Sequence, residues 1–167
     1  MKDLRREIDE GENAYQKLIE KIPGFAGYFE REKRRTGDKL LRQYLADRLR
    51  KTKDMLLSEG NVALKEKDFE TLGELQDLVK RFQFVIDKIE YAPQGYSGFF
   101  GAIKVNSEML DKLYSIDASL VTLIEDAEKI VSDETKTVKE RINMMKDKLK
   151  AFESVINKRS ETLSGIN

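Results

Sequence analysis

The chain contains no cysteine and no histidine among its 167 residues. Without cysteine there are no disulfides, thiolate nucleophiles, iron–sulfur clusters or cysteine-ligated zinc, although the redox compartment is left open. Without histidine the commonest general base near neutral pH, the usual transition-metal ligand and every imidazole-based triad are gone. Net charge is absent too: 31 lysines and arginines balance 31 aspartates and glutamates. The whole chain therefore selects no polyanionic partner, and any charge argument has to be local. No apolar run approaches the ~20 residues that span a bilayer. The opening Met1-Lys2-Asp3-Leu4-Arg5-Arg6-Glu7 is charged with no apolar segment behind it, unlike a secretory signal, so the expected location is the cytoplasm.

What is present is a hydrophobic share of 40% against 37% charged residues. That is enough apolar material for a core under a densely ionised surface, a ratio that suits elongated helices better than a sphere. The length fits one domain over residues 1–167.

Apolar residues recur at alternating steps of three and four, the spacing that lays a stripe along one face of a helix. Leu4, Ile8, Gly11, Tyr15, Leu18 and Ile22 form the first stripe, ended by Pro23-Gly24. A second helix starts between Phe29 and Asp38 and carries Leu41, Leu45, Leu49, Thr52 and Leu56; Gly60-Asn61 stops it, or it continues to about Lys67. Asp68 is suited to cap a third helix bearing Leu72, Leu75, Val79, Phe82, Ile86 and Ile89. A fourth starts near Asn106 or Ser107 with Leu110, Leu113, Asp117, Leu120, Ile124, Ala127 and Val131 inward. A fifth starts near Asp133 with Val138, Ile142, Met145, Leu149, Phe152, Ile156 and, one heptad on, Leu163. The period near 3.5 favours shallow crossings. The expectation is an all-α, elongated antiparallel bundle of four to five long helices with coiled-coil-like packing.

Two breaks share a pattern. Pro23-Gly24-Phe25-Ala26-Gly27-Tyr28-Phe29 is echoed by Pro93-Gln94-Gly95-Tyr96-Ser97-Gly98-Phe99-Phe100-Gly101, with proline, glycine, an aromatic, a small residue, glycine and two aromatics in order. If the first three helices run up, down and up, both loops fall at one end. Phe25, Tyr28, Phe29, Tyr96, Phe99 and Phe100 then either form an apolar plug or face a partner. The G-x-x-G spacing in each loop is that of single-stranded nucleic-acid binders of the KH type, which also need a β-sheet that is not evident here. No G-K-[ST] follows either glycine set, so there is no phosphate-binding P-loop.

Charge is uneven along the chain. Residues 31–53 hold ten bases against three acids, and Arg31, Arg34 and Arg35 adjoin the first Gly-aromatic loop. Bases beside aromatics suit anionic headgroups or a nucleic-acid backbone, whereas a solvated face paired with acids on neighbouring helices would use the same residues structurally. Residues 108–134 hold eight acids and two bases, so attraction to the basic segment or between copies is expected. Glu125-x-x-Glu128 has the spacing that opens an acidic divalent-metal site, for which Glu7-x-x-Glu10 is the candidate second pair. Asp117 stands in an apolar stripe, where a carboxylate has to be paired by a tyrosine or arginine and helps set helix register.

The segments Ile22-Pro23-Gly24-Phe25-Ala26-Gly27-Tyr28, Arg34-Arg35-Thr36-Gly37-Asp38-Lys39-Leu40-Leu41-Arg42 and Gly95-Tyr96-Ser97-Gly98-Phe99-Phe100 resemble a family of small prokaryotic all-helical proteins of unknown function, over roughly residues 18–117. That resemblance implies no activity, cofactor or catalytic residue. The leading functional expectation is a non-catalytic interaction or scaffold protein that binds a protein partner or another copy of itself, without cofactor, metal or small-molecule substrate. Its candidate binding residues are Phe25, Tyr28, Phe29, Arg31, Arg34, Arg35, Tyr96, Phe99 and Phe100, with Asp117 as a buried structural polar residue. The alternatives are a peripheral binder of anionic membrane or nucleic acid through residues 31–53, and a divalent-metal-dependent phosphohydrolase.

Overall fold

The alternating stripes fold as helices throughout the computed structural model, which describes residues 2–92, 97–101 and 105–165. In chain order these are α1 (Lys2–Lys21), α2 (Arg31–Lys65), α3 (Phe69–Glu90), the one-turn α4 (Ser97–Phe100), α5 (Ser107–Ser132) and α6 (Val138–Ser164). The protein is all-α, with its helices packed as bundles. No described helix is long and apolar enough to cross a membrane.

Local chemistry sets the boundaries. Gly60 does not stop α2, because one glycine costs a helix only about 1 kcal/mol relative to alanine and Leu56 and Ala63 on either side of it are buried. The helix ends instead where Lys67 turns left-handed at φ 59°, with the Asp68 amide donating to the Ala63 carbonyl at 2.9 Å. This is a Schellman closure with lysine in the place glycine usually holds. Asp68 then caps α3, its Oδ1 accepting from the Thr71 amide at 3.1 Å. Asn106 caps α5 in the same way through the Met109 amide at 2.9 Å. The last helix begins later than Asp133. Thr137 Oγ1 accepts from the Glu140 amide at 3.2 Å while Glu140 Oε2 accepts from the Thr137 amide at 2.8 Å, a reciprocal capping box. Asp133 holds the preceding turn by accepting from the Thr135 amide.

The chain resolves into two compact units. The first comprises Met1–Tyr44, Pro93–Val121 and Val155–Asn167, and the second Leu45–Ala92 and Thr122–Ser154, so that α2, α5 and α6 each contribute a segment to both.

In the first unit the core is built from Leu18, Ile22, Phe25, Tyr28, Leu41, Phe99, Leu113, Tyr114 and Ile156 among others. Here α1 lies along α5 in parallel. A methyl on Gly11 would stand 2.8 Å from Asp111 Cβ, and one turn further along both helices Tyr15 meets the Tyr114 ring at 5.0 Å. Beyond Ile22 the chain doubles back: Gly24 faces Leu40, and Gly27 lies between Tyr15 and Gly37. Consequently α1 and α2 run in the same direction, and the alternating up-and-down premise for these two helices does not hold. The return is possible because Gly24 and Gly27 take φ of +80° and +83°, values that cost residues with a Cβ about 1–2 kcal/mol each. The two Gly-aromatic segments still meet, because the first crosses back along α1 to reach Phe99.

In the second unit the inner residues are Leu45, Leu49, Thr52, Leu56, Leu75, Leu78, Phe82, Ile86, Ile124, Ile142, Met145, Leu149 and Phe152. Ion pairs identify neighbouring helices. Arg50–Glu90 joins antiparallel α2 and α3, Lys148–Asp126 joins antiparallel α5 and α6, and Lys139–Glu70, Lys146–Glu74 and Arg81–Glu153 climb parallel α3 and α6 together. Arg48 grips Glu128 through two nitrogens. That contact realises the expected attraction between the basic and acidic segments at one point.

Candidate functional site

Asp117 is fully buried in the first unit, and the seam supplies its partners. Arg159 Nε donates to Asp117 Oδ1 at 2.6 Å, and the Tyr28 hydroxyl donates to Oδ2 at 2.7 Å. Arg159 also reaches Asp38, with Nη1 2.9 Å from Oδ1, and Arg42 closes on the other Asp38 oxygen at 2.8 Å. The Asp38 Oδ1 accepts no aligned hydrogen bond, so that carboxylate is held by charge more than by geometry. Two acids and two guanidiniums thus neutralise one another beneath the surface. Burial pushes the Asp117 carboxyl up from the ordinary carboxylate range, against the pull of Arg159 and Tyr28. Burial also raises the Tyr28 phenol, aided by the Asp117 charge. For Arg159 burial works downward, but the carboxylate charges of Asp117 and Asp38 outweigh it and hold the guanidinium well above its usual value. With its oxygens taken by Arg159 and Tyr28, Asp117 fixes how α5, α6 and the first Gly-aromatic segment meet.

The same segment nucleates an aromatic cluster. Tyr28 stacks on Tyr114 with centroids 5.4 Å apart and planes 8° apart, and takes Phe25 and Phe99 edge-on at 5.3 and 5.4 Å. The Tyr28 amide donates to the Tyr114 hydroxyl at 2.7 Å. Arg34 is buried as well. Its Nε donates to the Tyr28 carbonyl at 2.8 Å and its Nη1 to the Phe99 carbonyl at 3.1 Å, so one side chain ties the two Gly-aromatic segments together. Phe25, Tyr28, Arg34 and Phe99 are therefore core residues, out of reach of a partner, because each satisfies its neighbours within the fold. Tyr96 lies outside the described residues.

What remains of the candidate set is a surface corner. Phe29 is 78% exposed. Arg31 and Arg35 are exposed on the first two turns of α2, followed by Lys39 one turn on. Arg35 lies over the Phe100 ring at 5.2 Å, and none of Arg31, Arg35 and Lys39 enters an ion pair among the described residues. Arg31, Glu32, Arg35, Thr36 and Phe100 line an open recess of about 470 Å³.

Comparison with protein-family models, with curated proteins and with solved structures gave no match.

The acidic-metal idea gains no geometry. Glu128 is engaged by Arg48, the Glu7 side chain lies outside the described part, and no group of three or more acidic side chains able to hold a metal gathers among the described residues. Elsewhere the basic segment behaves as a paired face, with Arg42, Arg48 and Arg50 all in ion pairs. Arg159 was legible in principle. It occupies the step between Ile156 and Leu163, so the α6 stripe places a cation in the seam as the α5 stripe places Asp117 there.

Proposed function

We propose that this chain is a non-catalytic interaction protein whose recognition surface is the corner formed by Phe29, Arg31, Arg35, Lys39 and Phe100, and whose partner is a protein presenting carboxylates around an apolar contact. The observation that supports this reading is the coincidence of a solvent-facing phenylalanine with cations that enter no ion pair among the described residues. Exposed aromatic and arginine side chains are the residue types that dominate protein interfaces. A magnitude argues against the membrane alternative. Three cations offset by Glu32, at about 1 kcal/mol each, with one phenylalanine worth about 2 kcal/mol, total about 4 kcal/mol, a dissociation constant of only ~10⁻³ M.

The test compares wild type with R31E/R35E and with Phe29→Ser in affinity capture at low salt, followed by direct binding to the purified protein recovered. A partner held by wild type and lost by both variants, with affinity falling as salt rises, is the expected result. Capture undiminished by R31E/R35E refutes the reading. Cosedimentation with phosphatidylserine-rich vesicles, or retention of single-stranded DNA, that disappears in R31E/R35E replaces it with the corresponding alternative.

A further inference from the structure

The second unit carries a feature that its own packing does not explain. Helix α3 buries Thr71, Leu75, Leu78, Phe82, Val85, Ile86 and Ile89 on one side. Its opposite side is not simply polar. Phe69 is 67%, Phe84 58% and Tyr91, the C-cap, 78% exposed. At 3.6 residues per turn, positions 69, 73, 77, 80, 84, 87 and 91 fall within roughly 80° of arc, diametrically across from the core stripe. Isolated exposed apolar residues are ordinary on any protein. Three aromatics aligned along the outward face of one helix are a different matter.

Gly73 sits in that line. At Gly11, Gly27 and Gly37 a methyl would collide or press against neighbouring atoms, which explains why no side chain is present; at Gly73 nothing lies within 4 Å of where a Cβ would stand. Glycine is the poorest helix former after proline, so within one molecule its use in the second turn of α3 brings only a loss. A glycine opening on the exposed aromatic face makes a hole into which a large side chain from another helix can fit.

The spacing names the helix. Gly73 to Asp77 and Lys80 to Phe84 are both steps of four. When two α3 helices pack antiparallel about a two-fold axis with Phe84 of each over Gly73 of the other, Asp77 of each automatically faces Lys80 of the other. Within one chain these two residues already approach to 3.3 Å, so the axis would gather two cations and two carboxylates in alternation. Parallel packing would instead set Lys80 against Lys80 and leave both glycine holes empty. We propose that the outer face of α3 is a self-association surface, occupied by the same face of a second copy of this chain in an antiparallel, Phe84-over-Gly73 register. A closed two-fold contact of this kind is the commonest way identical chains assemble. One helix face covers less than the ~800 Å² per partner of a standard interface, so the dimer is weak, with a micromolar dissociation constant. This inference is independent of the corner at Phe29.

The experiment is analytical ultracentrifugation of the full chain over a concentration series reaching a few hundred micromolar, with circular dichroism of each variant. Wild type is expected to form a reversible dimer. Phe84→Ser, which alters an exposed side chain, is expected to keep its helicity and weaken dimerisation at least tenfold. Gly73→Gln is expected to raise the thermal midpoint, through better helix propensity, while losing the dimer, an opposition that a purely structural glycine would not show. Asp77→Lys and Lys80→Asp each weaken association about tenfold, and D77K/K80D together restore it to within about threefold of wild type. A monomeric wild type over the whole series overturns the proposal, as does a dimer indifferent to Phe84→Ser and Gly73→Gln. A double charge swap no better than the single variants overturns the antiparallel register.

Discussion

Replacing Arg159 by methionine tests the account of the buried cluster most directly. Methionine keeps most of the apolar stem but takes the 2.6 Å hydrogen bond from Asp117 and the 2.9 Å ion pair from Asp38. Asp117, with no exposed surface, then retains only the Tyr28 hydroxyl, since the other nearby guanidinium, that of Arg42, is on Asp38. Removing one partner of a buried ion pair costs about 3–5 kcal/mol, a large share of the roughly 5–15 kcal/mol that keeps a protein folded. The loss also depends on pH in a definite direction. Burial already raises the Asp117 pKa in the folded state, and losing the cation raises it further. A carboxyl whose folded pKa exceeds its unfolded value of about 3.9 contributes its full stability below that value and loses it as pH rises through the folded pKa. The deficit of R159M relative to wild type should therefore shrink as pH falls from 7 toward 4. Urea denaturation followed by circular dichroism at both ends of that range measures it, with D117N/R159M as the control that removes the stranded charge and recovers at least half of the loss at pH 7. A deficit below about 1 kcal/mol at pH 7, or one that does not change with pH, would show that Arg159 does not hold Asp117 in the manner described.

Two further perturbations probe the chain reversals. Gly27→Ala places a Cβ 2.8 Å from both the Tyr114 hydroxyl and a Tyr15 ring carbon at a φ of +83°; backbone strain and overpacking together should cost about 2–4 kcal/mol, read as a lower urea midpoint with an unchanged slope. Lys67→Gly relieves the left-handed lysine that ends α2 and should add about 1 kcal/mol, so a variant no more stable than wild type in the same assay contradicts the Schellman reading.

Much of the architecture is legible in the sequence. All seven positions assigned to the α5 stripe, Asp117 included, are buried, as are the five assigned to α2. Such stripes are legible because helix periodicity is local: a residue's face is set by its own turn and the next. Caps at Asp68 and Asn106 were legible for the same reason, since a capping side chain reaches an amide only two or three residues away. The shared location of the two Gly-aromatic segments was expected from up-and-down parity; Tyr28 and Phe99 do meet at 5.4 Å, but because the first segment doubles back beside Tyr15 and Gly37, with α1 and α2 running in the same direction.

What composition and spacing determined about this protein is therefore its helical class, the inner faces of α2 and α5, the exclusion of histidine and cysteine chemistry, and the need of Asp117 for a partner. The direction of α1, the identity of that partner, and the division of the loop aromatics into buried Tyr28 and exposed Phe29 were decided by tertiary structure alone. Those outcomes depend on atoms far apart in the chain: Arg159 lies 42 residues from Asp117 and 131 from Tyr28. A carboxylate in a stripe announces that burial must be compensated, because stranding it would cost several kcal/mol, but any cation brought to the seam can satisfy it. Only the packing of α5, α6 and the doubled-back segment against one another selects which.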